Sequence, residues 1–162
     1  MNRSIRRPSL LLILGATLLW PVASAAQPAI IPRIGRAHHP APETFITLKN
    51  YFADRAVSGF TLVSADPKTG TLIAKRTGID SDTWRQWAYC KMDPSHLIDT
   101  LSEATATVNV KVEASGNRNS YVTVNADLEG TYALGSSQTT QQCISKGALE
   151  GNILAAAGVT QS

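Results

Sequence analysis

The most regular alternation of apolar and polar residues lies in the second half of the chain. Residues 105–114, TATVNVKVEA, alternate strictly, and residues 121–129 alternate again after a polar turn. A period of two places apolar side chains on one face of a strand and polar ones on the other. The two stretches therefore predict an antiparallel hairpin with one buried face and one solvated face.

A second pattern predicts a helix followed directly by another hairpin. Phe45, Leu48 and Phe52 recur at helical spacing within residues 43–55, which indicates one apolar stripe. The strands FTLVSA and TLIAKR come next, joined by a DPKTG turn whose residue types favour turns.

The C-terminal part predicts a closing helix. In the polar run SSQTTQQ, Thr139 and Gln142 have the spacing of a capping box. Leu149 then begins an apolar helical stripe, and Gly158 is typical of a helix C-terminus. On this interpretation Cys143 lies in the first turns of the helix.

These elements predict an α+β fold of two layers. It would contain a four-stranded antiparallel sheet, made of two hairpins, with an N-terminal and a C-terminal helix packed on one face. We expect a single domain over residues 43–159.

The N-terminus predicts a secretory signal peptide over residues 1–25. Arg3, Arg6 and Arg7 precede the apolar run LLLILGATLLW, and small residues lead to a cleavage site after Ala25. An uncleaved anchor is the alternative. Cleavage predicts an exported protein, periplasmic or extracellular, without an integral membrane segment.

Residues 26–42 are rich in proline and without periodicity, so they predict a flexible lead segment. Its isoleucines Ile30, Ile31 and Ile34 are candidates for contact with a partner. His38 and His39 suggest solvated linker residues rather than a metal site, which needs three or four ligands.

The two cysteines, Cys90 and Cys143, predict a disulfide in an exported chain. The alternative is a reactive Cys90 thiol assisted by His96 and Asp99.

Three aromatic residues lie close together before Cys90. Asp80 begins a predicted short helical turn that would place Trp84 and Trp87 on one face. They favour a plug at the edge of the core, beside the disulfide. The alternative is a ligand-stacking platform that includes Tyr89.

Charge excludes one class of partner. Removal of Arg3, Arg6 and Arg7 with the signal peptide takes the 15 basic residues to 12, which equals the 12 acidic residues. A nucleic-acid or anionic-membrane partner requires a basic patch, and no run of basic residues is present after residue 25. We therefore expect neither kind of partner. The sequence predicts neither a metal nor another cofactor.

The stretch from Phe45 to Arg76, and especially GFTLVSADPKTGTLIAKR, resembles the helix-then-hairpin unit of BamC-type domains of the bacterial envelope. The stretch from Cys143 to Glu150 is similar to the closing helix of small envelope proteins. The resemblance implies a helix-grip-like fold and a non-catalytic role in an envelope complex. BamC-type proteins carry a lipid-anchored cysteine after the signal peptide, and the resemblance does not extend to that anchor.

Three functions follow as hypotheses. The first is a non-catalytic binding or assembly module with a protein partner in the bacterial envelope. The second is a small-ligand binder, for lipid or glycan, with a groove between sheet and helix and Trp84, Trp87 and Tyr89 at its mouth. The third is a small enzyme using the cluster Asp93, His96 and Asp99 beside Cys90, and it has the least support because no oriented catalytic partner is evident.

Overall fold

The computed structural model describes residues 32–91 and 101–159, in which the chain forms seven strands and four helices. The predicted signal peptide, residues 26–31 of the predicted lead, residues 92–100 and residues 160–162 lie outside them. In chain order the elements are β1 (Arg33–Ala37), α1 (Ala41–Ala53), α2 (Arg55–Ser58), β2 (Thr61–Asp66), β3 (Thr71–Thr77), α3 (Ser81–Trp87), β4 (Ala88–Tyr89), β5 (Leu101–Ala114), β6 (Ser120–Leu134), β7 (Ser137–Ser145) and α4 (Ala148–Ala156).

All seven strands belong to one antiparallel sheet. Six of them follow the order β2-β3-β5-β6-β7-β4, and β1 lies off this path, beside β6. The fifteen-residue strand β6 pairs along its length with β5. Its other edge is shared, because β1 pairs with its first part and β7 with its last part. Strand β6 is therefore the centre of the architecture.

The prediction of a four-stranded sheet between two terminal helices is wrong. The two predicted hairpins are present as β2–β3 and β5–β6, but β1, β4 and β7 enlarge the sheet. Residues predicted to begin the closing helix form β7, where Thr140 lies opposite Thr131 with their Oγ1 atoms 2.9 Å apart. Threonine suits a strand with a solvated face, so the capping-box spacing does not decide between helix and strand.

Part of the segment predicted as a flexible lead contributes to the sheet. Residues 33–37 form β1, and Ala37 at its end is fully buried. The buried Ser120 hydroxyl contacts the turn after β1 and the first half of α1, with Oγ 3.0 Å from the carbonyl oxygen of His39 and 2.9 Å from Oγ1 of Thr44. These contacts attach the start of α1 to β6.

The core lies between one face of the sheet and the helices. The predicted apolar stripe of α1 is confirmed, since Phe45, Leu48 and Phe52 are buried against the inward valines of β5 and β6. Helix α1 ends at Ala53 because Asp54 caps the next helix, its Oδ1 accepting from the amides of Ala56 and Val57. The opposite face of the hairpin β5–β6 carries polar residues at alternate positions, as the sequence predicts.

Helix α4 begins later than predicted, at Ala148, and packs Leu149 and Ile153 into the core. The Ser145 hydroxyl accepts from the amide of Gly147 at 3.0 Å and donates to the buried Glu150 carboxylate at 2.7 Å. Within residues 32–91 and 101–159, the helices are too short or too polar to cross a membrane.

Candidate functional site

A groove of about 560 Å³ opens between the first half of α1 and the end of the sheet that carries the β2–β3 turn. We call it the α1 groove. Its walls come from α1, from the turn after β2 and from the end of β5. Residues from three distant parts of the sequence therefore form one concave surface.

The floor of the α1 groove is apolar. Phe45 and Val112 lie at its base and are buried, while Ile46 forms part of a wall and is 56% exposed. Ala65 and Ala114 complete the apolar lining with small side chains. An apolar surface of this kind is available to a ligand without rearrangement of the core.

Small residues keep the groove open, and Gly70 fixes one wall. Its φ of +68° is in the left-handed region, and a Cβ built there would lie 2.3 Å from the carbonyl oxygen of Val112. The Gly70 carbonyl accepts from the Val112 amide at 2.9 Å. The turn can approach β5 this closely only because residue 70 has no side chain.

Acidic groups beside the groove are engaged by near neighbours. Asp66 accepts hydrogen bonds from Oγ1 of Thr69 and from the amide of Lys68, both at 2.9 Å. Both bonds lower the pKa of Asp66, and the bond from Thr69 has the larger effect. Glu113 on the rim is 2.8 Å from Nζ of Lys111. Lys49 of α1 and Lys68 of the turn also line the groove and are exposed. In the part of the chain that the structure describes, neither lysine forms an ion pair.

Two of the predicted site residues lie in the core, away from the α1 groove. Trp84 and Trp87 are 1% and 7% exposed. The Trp84 indole N–H donates to the Tyr132 hydroxyl at 3.2 Å, and that hydroxyl donates to Sγ of Cys90 at 3.0 Å. These contacts place Trp84 close to the Cys90–Cys143 disulfide, through the Tyr132 hydroxyl. They do not place Trp84 or Trp87 at the mouth of a groove.

Trp87 belongs to an aromatic cluster. Its ring stacks with Phe60 at a centroid distance of 6.1 Å, and Phe60 meets Phe52 edge to face at 5.8 Å. The Arg76 guanidinium lies 5.2 Å above the Trp87 ring, a cation–π geometry. Arg76 therefore shields the outer side of this cluster from water.

The other candidate surface residues are exposed or lie outside the described residues. Tyr89 is 57% exposed on β4 and pairs with the partly exposed Ile144 on β7. Ile34 is exposed on β1. Ile30 and Ile31 lie outside the described residues, as do the candidate catalytic residues Asp93, His96 and Asp99.

The predicted disulfide between Cys90 and Cys143 is confirmed, with a Cα–Cα distance of 4.4 Å. It links the residue after β4 to a residue of β7, rather than to a closing helix. Because both sulfur atoms are bonded to each other, the alternative of a reactive Cys90 thiol does not apply to this structure.

The adjacent histidines are solvated. His38 is exposed, and His39 Nδ1 is 3.1 Å from Oε1 of Glu43, one turn into α1. Among residues 32–91 and 101–159, no three or more His, Cys, Asp or Glu side chains are grouped so that they could hold a metal ion.

The small-ligand hypothesis placed Trp84, Trp87 and Tyr89 at the mouth of a groove between sheet and helix, whereas the described lining of the α1 groove contains none of the three. The pattern of the sequence predicts Phe45 and Val112 only as core positions, and the small residues Ala65, Gly70 and Ala114 carry no pattern that indicates a binding site. The one sequence signal of the groove is that small residues lie at the ends of both strands that face the same helix.

Comparisons with protein-family models, with curated proteins and with solved structures found no match. The resemblance of residues 45–76 to BamC-type domains stays a prediction.

Proposed function

We propose that this protein is an exported, non-catalytic binding protein, and that the α1 groove holds the apolar part of a small ligand. One observation supports the proposal: a mostly apolar groove with a volume of about 560 Å³ lies between α1 and the sheet. Ligand sites in proteins typically have volumes of about 300–1,000 Å³ and a mostly apolar lining with few polar groups.

The walls of the α1 groove are held in place without a ligand. Phe45 anchors α1 from below, and the contacts of Ser120 with Thr44 and the His39 carbonyl hold the start of that helix. Gly70 holds the turn against β5. A preformed groove pays little ordering entropy when a ligand enters.

The lining supports binding rather than catalysis. Among the described residues that line it, Lys49, Lys68 and Glu113 are the ionisable ones, all exposed, and none is a histidine or a cysteine. General acid–base and nucleophilic catalysis need an oriented pair of groups within hydrogen-bond reach of each other. We therefore propose that this groove binds its ligand without transforming it.

The test is binding of a neutral apolar dye, N-phenyl-1-naphthylamine, whose fluorescence rises in an apolar site. We expect saturable binding to the wild-type protein. Ala114→Trp, which fills the α1 groove from an exposed position, should abolish it, and Ile46→Asn should weaken it. Val57→Asn removes an equally exposed apolar side chain outside the groove and is the matched control. Equal dye binding by all four proteins would contradict the proposal.

The exported location is part of the proposal and rests on the predicted signal peptide, with the Cys90–Cys143 disulfide as support. We expect N-terminal sequencing of protein recovered from the periplasm or the medium to begin at Ala26. A chain that retains Met1 in the soluble cytosolic fraction would overturn this part.

A protein partner in the bacterial envelope is the second candidate function. The side chains of Tyr89 and Ile144, opposite each other on β4 and β7, favour it because they form an exposed apolar patch and tyrosine is enriched among the residues that dominate interface energies. We expect Tyr89→Ser with Ile144→Ser to abolish copurification of a stoichiometric envelope partner, and Val57→Ser to leave it intact. Purification of wild-type protein alone, even after crosslinking, would contradict this candidate.

A further inference from the structure

The distribution of charge around the α1 groove identifies a class of ligand. We infer that the ligand is a single-chain anionic amphiphile. Its apolar chain lies over Phe45 and Val112, and its carboxylate or phosphate group lies between Lys49 and Lys68. This inference rests on the proposed function, because it specifies what occupies the same groove.

The two lysines approach the groove from opposite sides. Lys49 belongs to α1, three residues after the wall residue Ile46, and Lys68 belongs to the β2–β3 turn. Since both side chains are long and exposed, their ammonium groups can turn toward one group at the mouth. An anionic headgroup placed there stays in contact with water and loses little hydration.

Neighbouring acids offset only part of this positive charge. The Asp66 carboxylate stays negatively charged, because its hydrogen bonds come from the neutral Thr69 hydroxyl and Lys68 amide, whereas Glu113 is paired with Lys111 on the outer face of β5. Glu43, in the first turn of α1, is next to His39. Lys49 and Lys68, by contrast, form no ion pair in residues 32–91 and 101–159. The described lining itself therefore has two lysines and one glutamate, and that glutamate is paired with Lys111. This excess of positive charge beside an apolar floor complements an anion attached to an apolar chain.

Size favours a small amphiphile over a larger partner. A groove of about 560 Å³ is in the range that individual small ligands occupy. Recognition of a bilayer surface by charge needs a cluster of about four to eight basic residues, whereas this rim has two. The ligand class is therefore a free fatty acid, an alkyl phosphate or a lysophospholipid-like molecule.

The test compares probes that share a twelve-carbon chain and differ in headgroup charge: dodecanoate, dodecyl phosphate, 1-dodecanol and dodecyltrimethylammonium. Each probe is added to the full exported chain in complex with the neutral dye, and displacement of the dye is measured at low ionic strength. Every probe is kept below the concentration at which that probe forms micelles. We expect the two anions to bind about tenfold more tightly than the alcohol, and the cation to bind most weakly. The relative affinities of dodecanoate and dodecyl phosphate identify the preferred headgroup.

Two variants test the role of the lysines. Lys49→Gln and Lys68→Gln should each weaken dodecanoate binding by about two- to fivefold, as expected for an exposed ion pair, and leave dodecanol binding unchanged. Lys75→Gln removes an exposed charge of β3 outside the groove and is the matched control. Addition of about 0.5 M salt should reduce the preference for the anions in the wild type, since screening weakens exposed charge pairs.

The outcomes separate the two proposals. If dodecanol binds as tightly as dodecanoate, and Ala114→Trp abolishes both, the anionic ligand class is wrong and the groove function stands. A preference for dodecanoate that survives in the double variant Lys49→Gln/Lys68→Gln also overturns this inference. If no probe binds, or Ala114→Trp changes nothing, both proposals fall. Circular dichroism of each variant at the assay temperature shows that it is folded.

Discussion

The two ends of the layer between α1 and the sheet differ sharply. At one end Phe52, Phe60 and Trp87 fill the space, and Arg76 covers them. At the other end small residues such as Ala65 meet the same helix, and a groove opens over Phe45. A single helix thus packs against a closed, aromatic end and an open, small-residue end.

The disulfide and its network belong to the closed end. Trp84, Tyr132 and Cys90 form a chain of buried contacts next to the Cys90–Cys143 bond. The open end has no disulfide among the described residues, and it is held by the hydrogen bonds of the buried Ser120 hydroxyl and by the close approach of Gly70 to Val112. The comparison suggests that stability is concentrated at one end and ligand binding at the other.

The largest effect should come from the closed end. Trp84→Ala removes a fully buried indole and its hydrogen bond to the Tyr132 hydroxyl, so we expect a loss of about 3–5 kcal/mol in the free energy of unfolding. Urea denaturation measures it. Tyr89→Ala, at an exposed position, should change the stability by less than about 0.5 kcal/mol. A similarly small loss for Trp84→Ala would contradict the assignment of stability to this end.

Removal of the disulfide should cost almost as much. Cys90 and Cys143 are 53 positions apart, and the chain-entropy model gives about 4 kcal/mol for a loop of that length. We expect the double variant Cys90→Ala/Cys143→Ala to unfold at lower urea concentration but to bind the neutral dye normally while folded. Ile144→Ala, beside Cys143, is the control. Loss of dye binding by the folded double variant would mean that the two ends are coupled.

At the open end, Gly70→Ala should act on both stability and binding. The new Cβ meets the Val112 carbonyl at 2.3 Å, and φ is positive, so we expect a loss of about 1–3 kcal/mol and weaker dye binding as the turn moves away. Gly116→Ala has the same positive φ but nothing within 4 Å of its Cβ, and it separates backbone strain from the clash. Equal effects of the two substitutions would show that the close approach of the turn does not matter.

The smallest effect is a pH dependence shared by both ends. Hydrogen bonds from Thr69 lower the pKa of Asp66 at the open end, and those from Thr83 lower the pKa of Asp80, the N-cap of α3, at the closed end. Because each folded-state pKa is below the ordinary 3.8, the unfolded chain takes up protons first. The stabilisation is therefore complete above about pH 5 and is lost as the pH falls through the folded pKa.

Melting temperatures between pH 6 and pH 2.5 test this dependence. We expect the melting temperature of the wild type to fall more steeply with decreasing pH than that of Asp66→Asn or Asp80→Asn. Each variant lacks the carboxyl group whose protonation weakens the turn or the helix N-cap. Asp82→Asn, at an exposed position of α3 next to the cap, is the control. Parallel curves for all of the proteins would contradict the assignment.

The parts of the fold that the sequence predicted are those in which burial alternates over short distances. The stripe Phe45, Leu48 and Phe52 and the alternation around Val108 and Val110 both reflect contact with one core. Local periodicity is enough to locate such elements, and the cysteine pair was predictable from count and context.

The errors arose where pairing partners are distant or faces are polar. Strand β7 exposes Gln138 and Thr140, so it lacks the apolar alternation that reveals a half-buried strand. Strand β1 is specified by the edge of β6 and not by its own residues. The α1 groove could not be located because it joins residues 41–49, 65–70 and 112–114, whose proximity exists only in the folded chain.

Strand β6 has a consequence for how the chain acquires its structure. Arg33 pairs with Val124, 91 positions later (124 minus 33), and β3 and β7 also reach the rest of the sheet through the β5–β6 pair. During synthesis from the N-terminus, β1 has no strand to join until the ribosome has passed residue 124. Contacts at such separation slow folding, because the intervening loop must close first. We expect nascent chains shorter than this to be degraded by added protease, and the resistant form to arise only when β6 is complete.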